Sequence, residues 1–283
     1  MPGRRRSKRR RTAAAAGSDA AASSADPQTA VERLTDPSHA EALRKGMERL
    51  WRDEKLCDLV LRAATACDPA GAGAADAEPK YTEVKVHAVV AAAVSKPLEG
   101  MIIGTGSVGS SVKEGVLTLG GGGAGGEIEG AALEEAAKFM YTGSFEVGED
   151  TVFSLLAAAN YLGLDGMKAG CAKVMLENLT PQNALGLVEA LTRYACSKES
   201  IEEAEASVAA AFEEVAAENE WVALDEAEVR SWLSRSDLRM KSELAAFDAL
   251  VRWTEHCPAE REGSFASLFG AVVRLPRLSV DEL

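Results

Sequence analysis

LCDLVLR at residues 56–62 and YTEVKVHAVV at residues 81–90 together decide how this chain folds. Leu56, Leu59, Val60 and Leu61 make a short apolar run of strand formers. In the second stretch Val84 and Val86 fall on one face, the period-two pattern of a half-buried strand. Between them AATACDPAGAGAADAEPK, residues 63–80, is rich in Ala, Gly, Pro and Asp and reads as a loop. The two strands are therefore expected to pair as a hairpin with an expanded connection.

Upstream, HAEALRKGMERLW places Ala40, Leu43, Met47 and Leu50 at helical spacing. Downstream, AVVAAAVS reads as a helix that stops before Pro97, because the residue before a proline is pushed out of the helical region. VLTL at 116–119 reads as a strand, and Leu133, Ala136, Ala137 and Met140 as one face of a helix. YTGSFEV at 141–147 is expected to be a short strand with a turn at Gly143. Asp150 is expected to cap a helix faced by Val152, Leu155, Leu156 and Ala159 and stopped by Gly163.

From residue 164 onward every segment reads as helical. Thr180-Pro181 reads as a helix start, and Asp225 with Glu228 as a capping box. Leu244, Phe247, Leu250 and Val251 form another helix face, and a last helix carries Phe265, Leu268, Phe269 and Val272 before Pro276. Mixed α+β followed by all-α implies two domains. With no obvious flexible linker near Asn178, the later helices are expected to pack onto the first domain.

The net charge of −13 is unevenly placed. Arg4, Arg5, Arg6, Lys8, Arg9, Arg10 and Arg11 carry +7, which leaves −20 on the rest of the chain. An acidic body argues against nucleic-acid binding, since phosphate contact needs a basic face. The basic block opens a small, polar stretch that has nothing to bury and reads as disordered. It fits a nuclear-import signal or a polyanion-binding arm. No apolar run follows it, as a secretory signal requires, and no stretch is long enough for a membrane span. The five cysteines (Cys57, Cys67, Cys171, Cys196, Cys257) are scattered and form no CxxC pair, which suits reduced, mostly buried thiols. These features place the chain in the cytoplasm, the nucleus or both.

No arrangement of residues proposes catalysis or a cofactor. Gly104-Thr105-Gly106-Ser107-Val108-Gly109 matches GxGxxG, but no long helix can follow before the next strand, so it reads as a loop. The glycine tract Gly120–Gly126 lacks the GK[ST] of a phosphate loop. His39, His87 and His256 stand in no metal-ligand spacing, and no GxSxG elbow occurs. The many paired carboxylates sit on helices and read as solvated faces.

The ordered set LCDLVL (56–61), His87-Ala-Val-Val, AVSKPLEGMI, VLTL, ALEEAAKFMYTGSFEV and LLAAANYLGLDGMKAGCAKVMLENL strongly resembles a BTB/POZ domain. NLTPQNALGL, AAFEEVAAENEWVALDEAEVRSWLSRSDL, FDALVRWTEHCPAER and LFGAVVRLPRLSVDEL resemble a BACK domain, the pairing found in kelch-like proteins. The resemblance implies an α+β BTB/POZ domain, a small mixed sheet with a helical cluster, followed by an all-α BACK domain. The expected division is a basic, Ala-rich tail at 1–37, BTB/POZ at 38–177 and BACK at 178–283.

The resemblance also implies a non-enzymatic adaptor that homodimerises and binds cullin-3, recruiting an unknown protein substrate to a RING-type ubiquitin ligase. A BTB-dimerising nuclear scaffold or transcriptional co-regulator that ignores cullin-3 is the alternative. The dimer residues would be Leu43, Met47, Leu50, Trp51 and Asp58. Asp58 usually faces a basic partner at the position after the histidine, which here is Ala88. The cullin contact would use Met101, Ile102, Val112, Glu114 and Tyr141, with Val112-Lys113-Glu114 as its hydrophobic-x-Glu motif. No internal repeat of propeller period is visible in the 283 residues. Either the chain is a fragment, or the tail, the loops or the BACK helices would have to recruit substrate.

Overall fold

The computed structural model describes residues 36–64, 81–104, 111–119 and 128–272. The basic block, the GxGxxG positions after Gly104, the glycine tract and Cys67 lie outside the described residues. The chain divides into two compact units, residues 1–39 and 40–283. In the first, the Asp36 carboxylate accepts hydrogen bonds from the Ser38 amide and hydroxyl at 2.8 and 2.7 Å.

The larger unit builds its sheet from the two segments that opened the sequence. β1 (Leu59–Ala64) pairs antiparallel with β2 (Tyr81–Val86), in a register that sets Leu59 opposite Val86 and Leu61 opposite Val84. β3 (Val116–Leu119) adds on the other side of β1, parallel to it, giving the order β2-β1-β3 among the described residues. Leu59, Leu61, Ala63, Val86, Leu117 and Leu119 send the apolar face inward. Burying a leucine fully, as at Leu61, stabilises the fold by about 1.5–3 kcal/mol.

Helices complete that core. α1 (His39–Arg52) precedes the sheet, and α2 (Ala88–Val94) and α3 (Lys96–Ile103) follow β2. Ser95 caps α3: its buried Oγ accepts from the Leu98 N–H and donates to the Leu162 carbonyl at 2.5 Å. α4 (Gly130–Thr142), α5 (Val152–Tyr161) and α6 (Asp165–Glu177) close the helical cluster. The first residue of α4 has to be a glycine. A Cβ at Gly130 would stand 2.0 Å from the Thr82 hydroxyl on β2.

The remaining helices are α7 (Ala184–Arg193), α8 (Lys198–Ala210), α9 (Phe212–Ala216), α10 (Asn219–Ala223), α11 (Glu226–Leu233), α12 (Leu244–His256) and α13 (Pro258–Val272). They surround a second core built on Phe212, Trp221, Val229, Leu250, Trp253 and Leu268. The expected capping box forms in full: Asp225 accepts from the Glu228 N–H, and Glu228 accepts from the Asp225 N–H, both at 2.8 Å. Helices α7 and α8 also lend Leu187, Ala190, Leu191 and Ala204 to the first core, so they are packed rather than tethered.

Four local expectations fail, each for a visible reason. Leu56 is not part of β1. It sits at φ +63 in the turn after α1 and is exposed. YTGSFEV pairs with no strand, because Tyr141 and Thr142 end α4 and Gly143 caps it in the left-handed region. Asp150 does not cap α5; the N-cap is Thr151, whose hydroxyl bonds the Gly148 N–H at 3.0 Å. Thr180-Pro181 only approaches α7, which begins after Asn183, and the Asn183 side chain accepts from the Thr180 N–H at 2.8 Å.

Candidate protein-interaction site

Helix α1 is amphipathic in sequence, yet none of its residues is fully buried. Met47 and Trp51 pack against the first core, Leu50 is half-buried, and Leu43 stands 59% exposed. One rim of the helix is polar: Arg44 pairs with Glu41 at 2.9 Å and Glu48 at 3.1 Å.

Trp51 anchors the C-terminal end of α1. Its Nε1–H donates to the Lys85 carbonyl on β2 at 3.0 Å, and its ring stacks on Tyr141, centroids 4.8 Å apart and 4° from parallel. Tyr141 in turn is 3% exposed. Its hydroxyl oxygen accepts from the His87 backbone N–H at 2.8 Å and lies 2.8 Å from His87 Nδ1. The second ring nitrogen, Nε2, lies 3.0 Å from the Lys55 carbonyl, which can only accept. Nε2 therefore carries the proton, and Nδ1 accepts from the tyrosine O–H. Burial pushes the Tyr141 hydroxyl up to about 12, against the opposing pull of the His87 N–H.

Tyr141 was expected on a partner-facing strand. Here it is a buried helix residue with both faces of its chemistry in use. Tyr141→Phe leaves a buried N–H and a buried ring nitrogen without their partner, which costs about 1–3 kcal/mol. A urea melt will show that loss.

Asp58 lies just before β1 and is exposed. Its Oδ1 accepts the Ala88 backbone N–H at 2.7 Å, while its own N–H donates to the Val86 carbonyl at 3.2 Å. It thus caps α2 from another segment, where His87 gives no side-chain cap. Sequence reading missed Leu56 and Val89, which stand 79% and 70% exposed. The exposed phase of Val89 could be read from its spacing to buried Ala91, but nothing in a leucine announces a left-handed backbone.

The other candidate residues converge between α3 and β3. The Ser111 N–H donates to the Met101 carbonyl at 2.8 Å, tying the segment before β3 to the last turn of α3. Met101 and Ile102 are half-buried, and Val112 packs on the core. Lys113 and Val116 then exchange backbone hydrogen bonds at 2.9 and 2.8 Å. Glu114 at φ +51 and Gly115 at φ +79 form the tight turn between them, the geometry of type I′. That turn holds the Glu114 carboxylate out in solvent.

No group of three His, Cys, Asp or Glu among the described residues is placed to hold a metal ion. The four described cysteines are free, and burial pushes the Cys171 thiol up to about 11. No described helix is long and apolar enough to cross a membrane.

The BTB/POZ domain model matches residues 47–179 and the BACK (BTB And C-terminal Kelch) model residues 184–283. The chain carries a BTB/POZ domain followed by a BACK domain. It is similar to Kelch-like protein 28 of Mus musculus, 29% identical over 252 residues that make up 87% of this chain and 38% of that protein. Kelch-like protein 17 of Homo sapiens is 29% identical over 269 residues, 92% of this chain and 38% of that protein. Kelch-like protein 17 of Mus musculus is 30% identical over 237 residues, 84% of this chain and 33% of that protein. The chain thus spans less than two fifths of the length of these relatives.

Proposed function

We propose that this BTB/POZ–BACK chain is a dimeric protein-interaction adaptor that binds cullin-3 and brings a protein substrate to a RING-type ubiquitin ligase. The observation that carries the reading is the tie between Ser111 and Met101, which gathers Met101, Ile102, Val112 and Glu114 at one place. Half-buried apolar side chains would supply the anchor of such an interface, and a displayed carboxylate would orient the partner. Tyr141 is the fifth residue that the resemblance brings to the contact, and it lies buried against Trp51 and His87. The kelch-like relatives support the same reading.

Dimerisation would use α1. A helix with Leu43 exposed and Met47, Leu50 and Trp51 only partly covered presents apolar area suited to a second copy. Light scattering on the purified chain at micromolar concentration is expected to give twice the chain mass.

Glu114→Arg reverses the displayed charge on a turn whose φ is already unusual, with no core contact to disturb. Binding to the N-terminal region of cullin-3 is expected to weaken at least tenfold, about 1.4 kcal/mol or more, while the dimer persists. Unchanged affinity would remove the proposed surface. A dimer that ignores cullin-3 in the wild type would select the nuclear scaffold reading instead.

A further inference from the structure

Four helices, α7, α8, α10 and α11, each bring one glutamate to a single groove, a cavity of about 740 Å³. Two of the four are neutralised there. Glu189 on α7 pairs with Arg193, and Glu205 on α8 pairs with Arg235 at 2.7 Å. Glu220 on α10 and Glu228 on α11 pair with no cation among the described residues. Each accepts one backbone N–H instead, from Gly186 at 3.1 Å and from Asp225 at 2.8 Å. Their negative charges stay uncompensated in the groove.

The half-buried ring of Trp232 lines the same groove, with the Arg235 guanidinium 5.2 Å from its centroid. Trp51, Trp221 and Trp253 each donate the indole N–H to a backbone carbonyl. The Trp232 N–H meets no acceptor among the described residues. No buried side-chain nitrogen or oxygen there lacks a partner, so this donor is open to solvent.

We infer that this groove docks a basic segment of the protein substrate. Lysine or arginine side chains of the segment meet Glu220 and Glu228, and their apolar stems lie along the Trp232 ring. A backbone carbonyl of the segment accepts from the Trp232 N–H. The cavity is of the size that buries a ligand. Phosphate groups would be repelled by the same two carboxylates, so neither a nucleic acid nor an anionic membrane surface fits. Calling the occupant a substrate rests on the adaptor reading above.

Glutamine keeps the acceptor oxygen that each backbone N–H needs and removes only the charge. The test measures, by fluorescence anisotropy, the affinity of the full chain for a fluorescein-labelled heptapeptide, Arg-Lys-Arg-Leu-Arg-Lys-Arg, at physiological ionic strength. Circular dichroism reports the fold. E220Q/E228Q is expected to weaken binding at least about fivefold. E134Q/E255Q removes the same charge from exposed positions outside the groove and is expected to stay within about twofold of wild type. W232F keeps an aromatic ring, loses the donor and is expected to bind about threefold more weakly. If both glutamate pairs weaken binding alike, if neither does, or if the wild type does not hold the peptide, the groove is overturned. An unchanged W232F overturns the part given to its N–H. A chain that holds the peptide but ignores cullin-3 keeps the groove and overturns the adaptor reading. One that binds cullin-3 but not the peptide does the reverse.

Discussion

Trp221→Ala is expected to lower the unfolding free energy by about 3–5 kcal/mol, the usual loss when a buried indole is removed. Trp221 is 0% exposed at the middle of the second core. Its Nε1–H donates to the Ala249 carbonyl at 3.0 Å, which joins α10 to α12. Its ring meets Phe212 edge-on, centroids 5.5 Å apart and 88° from parallel, which joins α10 to the start of α9. Both α9 and α10 are five residues long, too short to persist without tertiary packing. Alanine removes the side chain that meets Phe212 on α9 and bonds Ala249 on α12, and neighbours fixed in longer helices fill the cavity poorly. Chemical denaturation followed by circular dichroism measures the effect. A loss below about 1 kcal/mol would mean that the site collapses and that the two short helices have other support.

The contrast between what was legible and what was not follows from the range of the interactions. The strands at 59–64, 81–86 and 116–119 could be read because a short apolar run of strand formers, and in the second of them alternation, are local patterns. The Asp225–Glu228 capping box could be read because both of its bonds lie within four residues. The failures are places where a distant partner outbids a local signal. Tyr141, Phe145 and Val147 are good strand formers, yet Tyr141 is claimed by Trp51 and His87, and Phe145 packs edge-on against Phe139. Asp58 could be singled out by resemblance, but its cap on Ala88 spans 30 residues. At Glu114 the resemblance named the residue; the type I′ turn that displays it depends on the exchange between Lys113 and Val116.

Leu191→Ala tests whether the BTB/POZ and BACK parts fold as one. Helix α7 is apolar on two faces. Ala184 and Leu185 enter the second core, while Leu187, Ala190 and Leu191 enter the first. Together these residues and Val188, which packs against both, make an apolar arc too broad for one core to cover, so the helix is stable only where both cores share it. Leu191 is 0% exposed, and its truncation is expected to cost about 2–5 kcal/mol. Where domains fold independently, such a loss stays in the one that bears the mutation. With α7 shared, the loss is expected to reach both. Hydrogen exchange read by mass spectrometry should quicken in β1, at the centre of the sheet, and equally in α12, whose Leu250 and Trp253 lie in the second core. Faster exchange in β1 with α12 unchanged would show two separable folding units. The Lys168 ammonium on α6, bonded to the Tyr194 and Ala195 carbonyls at 3.3 and 3.1 Å, would then be a surface clasp between them.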